Sequence, residues 1–115
     1  MEEEFQDLLR LIWEGSCALD YKPVPCLVTA RTYLKMAQAA AFKLLDHAID
    51  DAEHNRLRTI CNYSERVCFQ QKTWTSVAHF MTAFWLGVND GFFDNMMNRE
   101  GKYYERGYKM ARNGK

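Results

Sequence analysis

His47, Asp51 and His54 recur at i, i+4 and i+7, the spacing that stacks three side chains along one face of a helix. Imidazole and carboxylate together suit first-row transition metals. One straight helix cannot bring all three onto a single ion, because i and i+7 stand about 10 Å apart. A metal centre would need two of them plus a residue from elsewhere, such as His79 or Glu65. Asp46 and Asp50 crowd the same stretch, so the expected role is a solvated acidic face on which histidines pair with carboxylates, with no metal and no cofactor. His79 offers a second arrangement, within reach of Cys61 or Cys68 if the third and fourth helices pack antiparallel, since a nucleophilic thiol needs an adjacent base. The plainer expectation there is a partly buried histidine with one hydrogen-bond partner. The tail is the third candidate. Tyr103, Tyr104 and Tyr108 alternate with Arg106, Lys109 and Arg112, the residue types of binding hot spots and of single-strand stacking platforms. These six are the expected partner-binding residues.

Composition narrows the classes. The chain has 115 residues, 48% hydrophobic, with three Trp, six Tyr and seven Phe, which excludes a disordered segment and predicts a single domain over 1–115. Fifteen basic residues balance fifteen acidic ones, which argues against a general nucleic-acid binder that works by phosphate neutralisation. The charge is unevenly spread. The first twenty residues hold Glu2, Glu3, Glu4, Asp7, Glu14 and Asp20 against Arg10, whereas the tail holds Arg99, Lys102, Arg106, Lys109, Arg112 and Lys115 against Glu100 and Glu105. Cys17, Cys26, Cys61 and Cys68 show no zinc spacing, and the acidic start is unlike the n-region of a signal peptide. A cytoplasmic protein with reduced thiols and no membrane span is the expectation.

Hydrophobic periodicity then supplies the elements. Phe5, Leu8, Leu9 and Ile12 form the stripe of a first helix over 3–15, stopping at Gly15. Pro23 and Pro25 make 20–26 a connector. Leu34, Ala37, Ala41, Leu44 and Ala48 form a narrow seam on a second helix over 29–53, which either continues into or is followed by a third over 56–70. The third turns Leu57, Ile60, Cys61, Ser64 and Cys68 inward. A fourth helix, capped by Thr73 or Thr75, carries Trp74, Val77, Ala78, Met81, Trp85, Val88 and Phe92 on one face and ends between 89 and 97. After a turn over 98–101, a fifth covers 102–112. The sum is an all-α, single-domain bundle of four or five helices.

Gly87, Gly91 and Gly107 stand among large aromatics on the last two helices, although glycine costs a helix about 1 kcal/mol against alanine. That placement predicts close backbone contact between helices, in this molecule or with a second copy. Trp85, Gly87 and Gly91 are echoed by Tyr104, Gly107 and Tyr108. In those residues, about a quarter of the chain, the sequence resembles the paired aromatic–glycine helices of ribosome modulation factor and of small phage and mobile-element proteins. The composition and this resemblance imply a non-enzymatic binding protein, an inhibitor or adaptor of a protein partner, with a phage-type anti-defence or host-takeover protein as the concrete version. A nucleic-acid or ribosome-associated factor using the basic tail is one alternative. An oligomer that sequesters a small ligand or nucleotide between its second and fourth helices is another. The wealth of aromatic side chains predicts a homo-oligomer.

Overall fold

The computed structural model describes residues 1–112 and is all-α. Its helices are α1 (Glu2–Leu19), α2 (Leu27–Lys43), α3 (Asp51–Gln70), α4 (Trp74–Phe92) and α5 (Lys102–Arg112), with one 3₁₀ turn at Leu44–His47. The expected apolar faces all point inward. Phe5, Leu8 and Ile12 meet Leu34, Ala37, Ala41 and Leu44 of the seam, and Leu57, Ile60, Cys61, Ser64 and Cys68 are buried beside them. Trp85, Phe80, Phe84, Met81 and Val88 fill the centre, so α4 is the axis on which the other helices pack.

The first four helices run up and down in turn. Phe5 meets Phe92 at 5.2 Å and Ser16 meets Thr82 at 3.4 Å, which sets α1 antiparallel to α4. Arg56 lies over Phe92 while Ser64 accepts from Trp85 Nε1 at 3.0 Å, which does the same for α3 and α4. Gly15 does not stop α1. The helix continues to Leu19, and Gly15 instead lets Leu34 of α2 approach to where a β-carbon would stand.

The second and third helices are separate. After Lys43 the chain tightens into its 3₁₀ turn and extends through Ala48, and α3 then starts afresh. Asp50 is the reason for the restart. Its carboxylate accepts from the Glu53 amide at 2.8 Å, and Glu53 reaches back to the Ile49 amide at 3.1 Å, satisfying two otherwise orphaned donors. Thr73 caps α4 in the same way, accepting from the Ser76 amide at 3.1 Å.

The fifth helix is parallel to α4. Tyr103 packs edge-on against Phe80 at 4.9 Å, and further along Gly91 faces Tyr108 and Ala111, so partner positions advance together. The chain leaves α4 through Asp94, whose φ of 58° is left-handed, and returns along the helix pair over 93–101. Nine residues can reach at most about 30 Å, enough for the three turns they retrace. Tyr108 donates to the Asn95 carbonyl at 2.7 Å and Asn98 donates its amide to Tyr104 Oη at 3.3 Å, tying the return segment to α5.

Candidate functional site

The six tail residues do not form one surface. Tyr104 is a core residue, 1% exposed, and its hydroxyl donates to Asp90 Oδ2 of α4 at 2.5 Å. Burial comes first and the Asp90 contact second in pushing this phenol above its ordinary range. Tyr108 is half-buried and turned toward the return segment, where Arg112 donates to its hydroxyl at 3.0 Å and pairs with Asp94 at 3.8 Å. Tyr103 rests against Phe80 with Lys102 over its outer face. Arg106 and Lys109 alone among the six line the open trough between α3 and α5, while Lys115 of the basic tail lies outside the described residues. Helical geometry divides them: 104, 107, 108 and 111 face α4, so 102, 106 and 109 are rotated toward α3.

That trough, of about 850 Å³, is the candidate site. Ala52 and Met110 give it apolar surface over the buried Ile60, and Asn55 and Thr59 add polar groups from α3. Lys102, Arg106 and Lys109 edge it at i, i+4 and i+7 on α5, with Glu105 between them. Arg56 reaches in from α3. Its side chain is only 13% exposed, lies over the Phe92 ring at 5.2 Å, and contacts Glu53 at 3.8 Å, the outer limit of an ion pair. Its Nε is buried with no hydrogen-bond partner among the described residues. At the upper end, the guanidiniums of Arg66 and Arg106 lie 5.5 and 5.7 Å from the centre of the same Tyr63 ring. Among the described residues neither has a carboxylate within ion-pair distance, and the same is true of Lys102 and Lys109. The trough therefore concentrates positive charge on a chain whose net charge is zero.

The charges of α5 and the periodicity of α3 were both readable in the sequence. Arg56, Arg66 and Tyr63 were missed, because nothing local to α3 signals that α5 will lie beside it.

The other arrangements come apart. His47 sits in the 3₁₀ turn, Asp51 opens α3, and His54 is one turn further on, so the three share no helical face. His47 Nδ1 instead meets Glu4 Oε1 at 3.2 Å, which joins the acidic start of α1 to the α3 end of the bundle. Among the described residues no group of three His, Cys, Asp or Glu side chains is placed to hold a metal ion. His79 is exposed rather than partly buried, and it lies in the cleft lined by Ser16, Leu19 and Thr82. Cys61 is buried, donates to the Ala41 carbonyl at 3.2 Å, and has its pKa pushed up to about 12 by desolvation and then by Glu65. Such a thiol is inert. Cys26, at the start of α2, is exposed, and its contact with Thr29 lowers its pKa below the ordinary thiol value.

The chain matches no family model, no curated protein and no solved structure. Among the described residues no helix is long and apolar enough to cross a membrane.

Proposed function

We propose that the protein is a non-enzymatic binding protein, an inhibitor or adaptor that occludes a protein partner held along the α3–α5 trough. The observation that carries this reading is a set of cations with no carboxylate partner among the described residues, Lys102, Arg106 and Lys109, ranged beside the apolar surface of Ala52 and Met110. Charged rim and apolar centre are the two parts of a protein-recognition patch, the first steering encounter and the second supplying desolvated contact. A reducing, cytoplasmic location belongs to this reading. An anti-defence or host-takeover protein of a phage or mobile element is the concrete version of this reading.

Capture from nuclease-treated bacterial lysate tests it, comparing the native chain with the pair Arg106→Glu and Lys109→Glu and with Arg10→Glu on α1. One protein retained by the native chain and by Arg10→Glu, and lost from the double variant, is the expected result. Equal capture by all three overturns the surface assignment, and capture of ribosomes or RNA that nuclease abolishes overturns the class.

A further inference from the structure

We infer that the occupant of the α3–α5 trough is an amphipathic helix bearing a row of carboxylates, one of which engages Arg56; this rests on the reading of the trough as a protein-capture surface. Lys102, Arg106 and Lys109 lie in line over about 10 Å of α5, the interval at which carboxylates at i, i+3 or i+4, and i+7 recur on a partner helix. Below them Met110 and Ala52, set over the buried Ile60, offer surface to the apolar side of the same helix, with Met110 free to adjust its shape.

The surroundings disfavour a polynucleotide. Its phosphates would meet Glu105 within the trough, and at the Ala52 end they would run toward Asp50, Asp51 and Glu53. Its bases would find no open ring, because Tyr63 is packed on Phe84 at 5.3 Å and covered by two guanidiniums, and Tyr103 is set against Phe80 under Lys102. A helix of a few turns avoids both conflicts, because its carboxylates fall at spaced positions opposite Lys102, Arg106 and Lys109 rather than Glu105, and it needs no ring to stack on.

Arg56 supplies the anchor. Its guanidinium is almost covered, has a distant acid partner in Glu53, and keeps one donor, Nε, unmatched. A carboxylate entering between Asn55 and Lys109 draws the guanidinium off the Phe92 ring and accepts from Nε and a terminal nitrogen together. The exposed lysines cannot make such a paired contact.

A displayed library of random peptides of about 16 residues, roughly four helical turns, selected on the native chain and counter-selected on the pair Arg106→Glu and Lys109→Glu, tests the inference. The expected winners carry Asp or Glu at helical intervals opposite Leu, Ile or Phe. A winner synthesised with its residues scrambled should bind roughly tenfold or more weakly, and Arg56→Lys should weaken the intact winner about tenfold. Methyl and amide NMR shifts should then centre on Ile60, Met110 and Lys109. Winners without that periodicity, equal binding by the scrambled peptide, or tighter binding of a single-stranded oligonucleotide overturns the inference. If any of these occurs while lysate capture still depends on Arg106 and Lys109, the protein-capture reading stands and only the helical occupant is wrong. If lysate capture is also indifferent to those residues, the capture reading falls too. Should Arg56→Lys fail to fold, as judged by circular dichroism, the scrambled peptide and the charge-reversed pair still decide the question.

Discussion

Gly87 and Gly107 stand opposite each other on parallel helices, each turning its missing β-carbon onto the other helix's backbone. A β-carbon on Gly87 would overlap the Tyr104 carbonyl, and one on Gly107 would overlap the Phe84 carbonyl. The reciprocity follows from an internal match: Phe84, Gly87, Val88 and Gly91 correspond to Tyr104, Gly107, Tyr108 and Ala111, each twenty positions later. Because the obstructing atoms are backbone, they cannot rotate away. Gly87→Ala and Gly107→Ala should each cost about 3 kcal/mol or more in urea unfolding, the upper range of overpacking. Gly15→Ala presses chiefly on the Leu34 side chain, at 2.8 Å, with the Ala30 carbonyl at 3.4 Å, and should cost about 1 kcal/mol. Equal losses at all three positions would contradict the assigned contacts.

Tyr104 holds the helix pair through its hydroxyl. Tyr104→Phe keeps the ring in the core and leaves the Asp90 carboxylate without its strongest donor, so stability should fall by about 1–3 kcal/mol at neutral pH. Tyr104→Ala would empty the core instead and is expected to unfold α5, so it is no probe of a surface. Thermal melts of the two variants, with helicity followed at 222 nm, separate these effects.

Stability should decline at alkaline pH. Cys61 ordinarily titrates near 9.0 but is held protonated to about 12 in the fold, and Tyr104 is raised above its ordinary 10.0. Both folded-state pKa values exceed the unfolded ones, so their contribution is complete below pH 9 and is lost as pH rises, first through Cys61 and then through Tyr104. One such group gives a slope of up to about 1.4 kcal/mol per pH unit. Because burial also raises Cys68 from 9.0, Cys61→Ala and Cys68→Ala combined should move the onset from near pH 9 toward pH 10. An unchanged onset in the double variant would mean that the two thiols are accessible to water.

The cysteines should separate into two reactivity classes. Cys17 and Cys26 are exposed, whereas Cys61 and Cys68 are buried with raised pKa values. Iodoacetamide on the native protein should modify the first two, Cys26 fastest because its thiol is the easier to ionise, and reach the others only in denaturant. Peptide mass mapping after timed quenches reads the order directly.

Ser64 is buried to satisfy one donor. Ser64→Ala removes the acceptor of Trp85 Nε1 and should cost about 1–3 kcal/mol, with a change in tryptophan emission as the indole loses its partner.

Much of this architecture is written in local pattern. The Phe5–Ile12 stripe, the Leu34–Leu44 seam, the inward residues of α3, the aromatic face of α4 and the Thr73 cap follow from a 3.6-residue period and from the need of terminal amides for acceptors. Even the glycines announced a close approach before their partner was known. The tertiary structure decided which faces meet and in which direction. Period alone made 29–53 one helix and set His47, Asp51 and His54 on one face, but the extended backbone at Ala48 and the Asp50 cap separate them. Spacing grouped Tyr104 and Tyr108 with Arg106 and Lys109, and α4 then claimed the tyrosines by offering glycine where their backbone had to fit. A hydrophobic stripe states that a face will be buried. Its partner is chosen by the reach of the 93–101 return segment and by backbone fit at Gly87 and Gly107, which bring α5 beside α3 and so create the cationic trough.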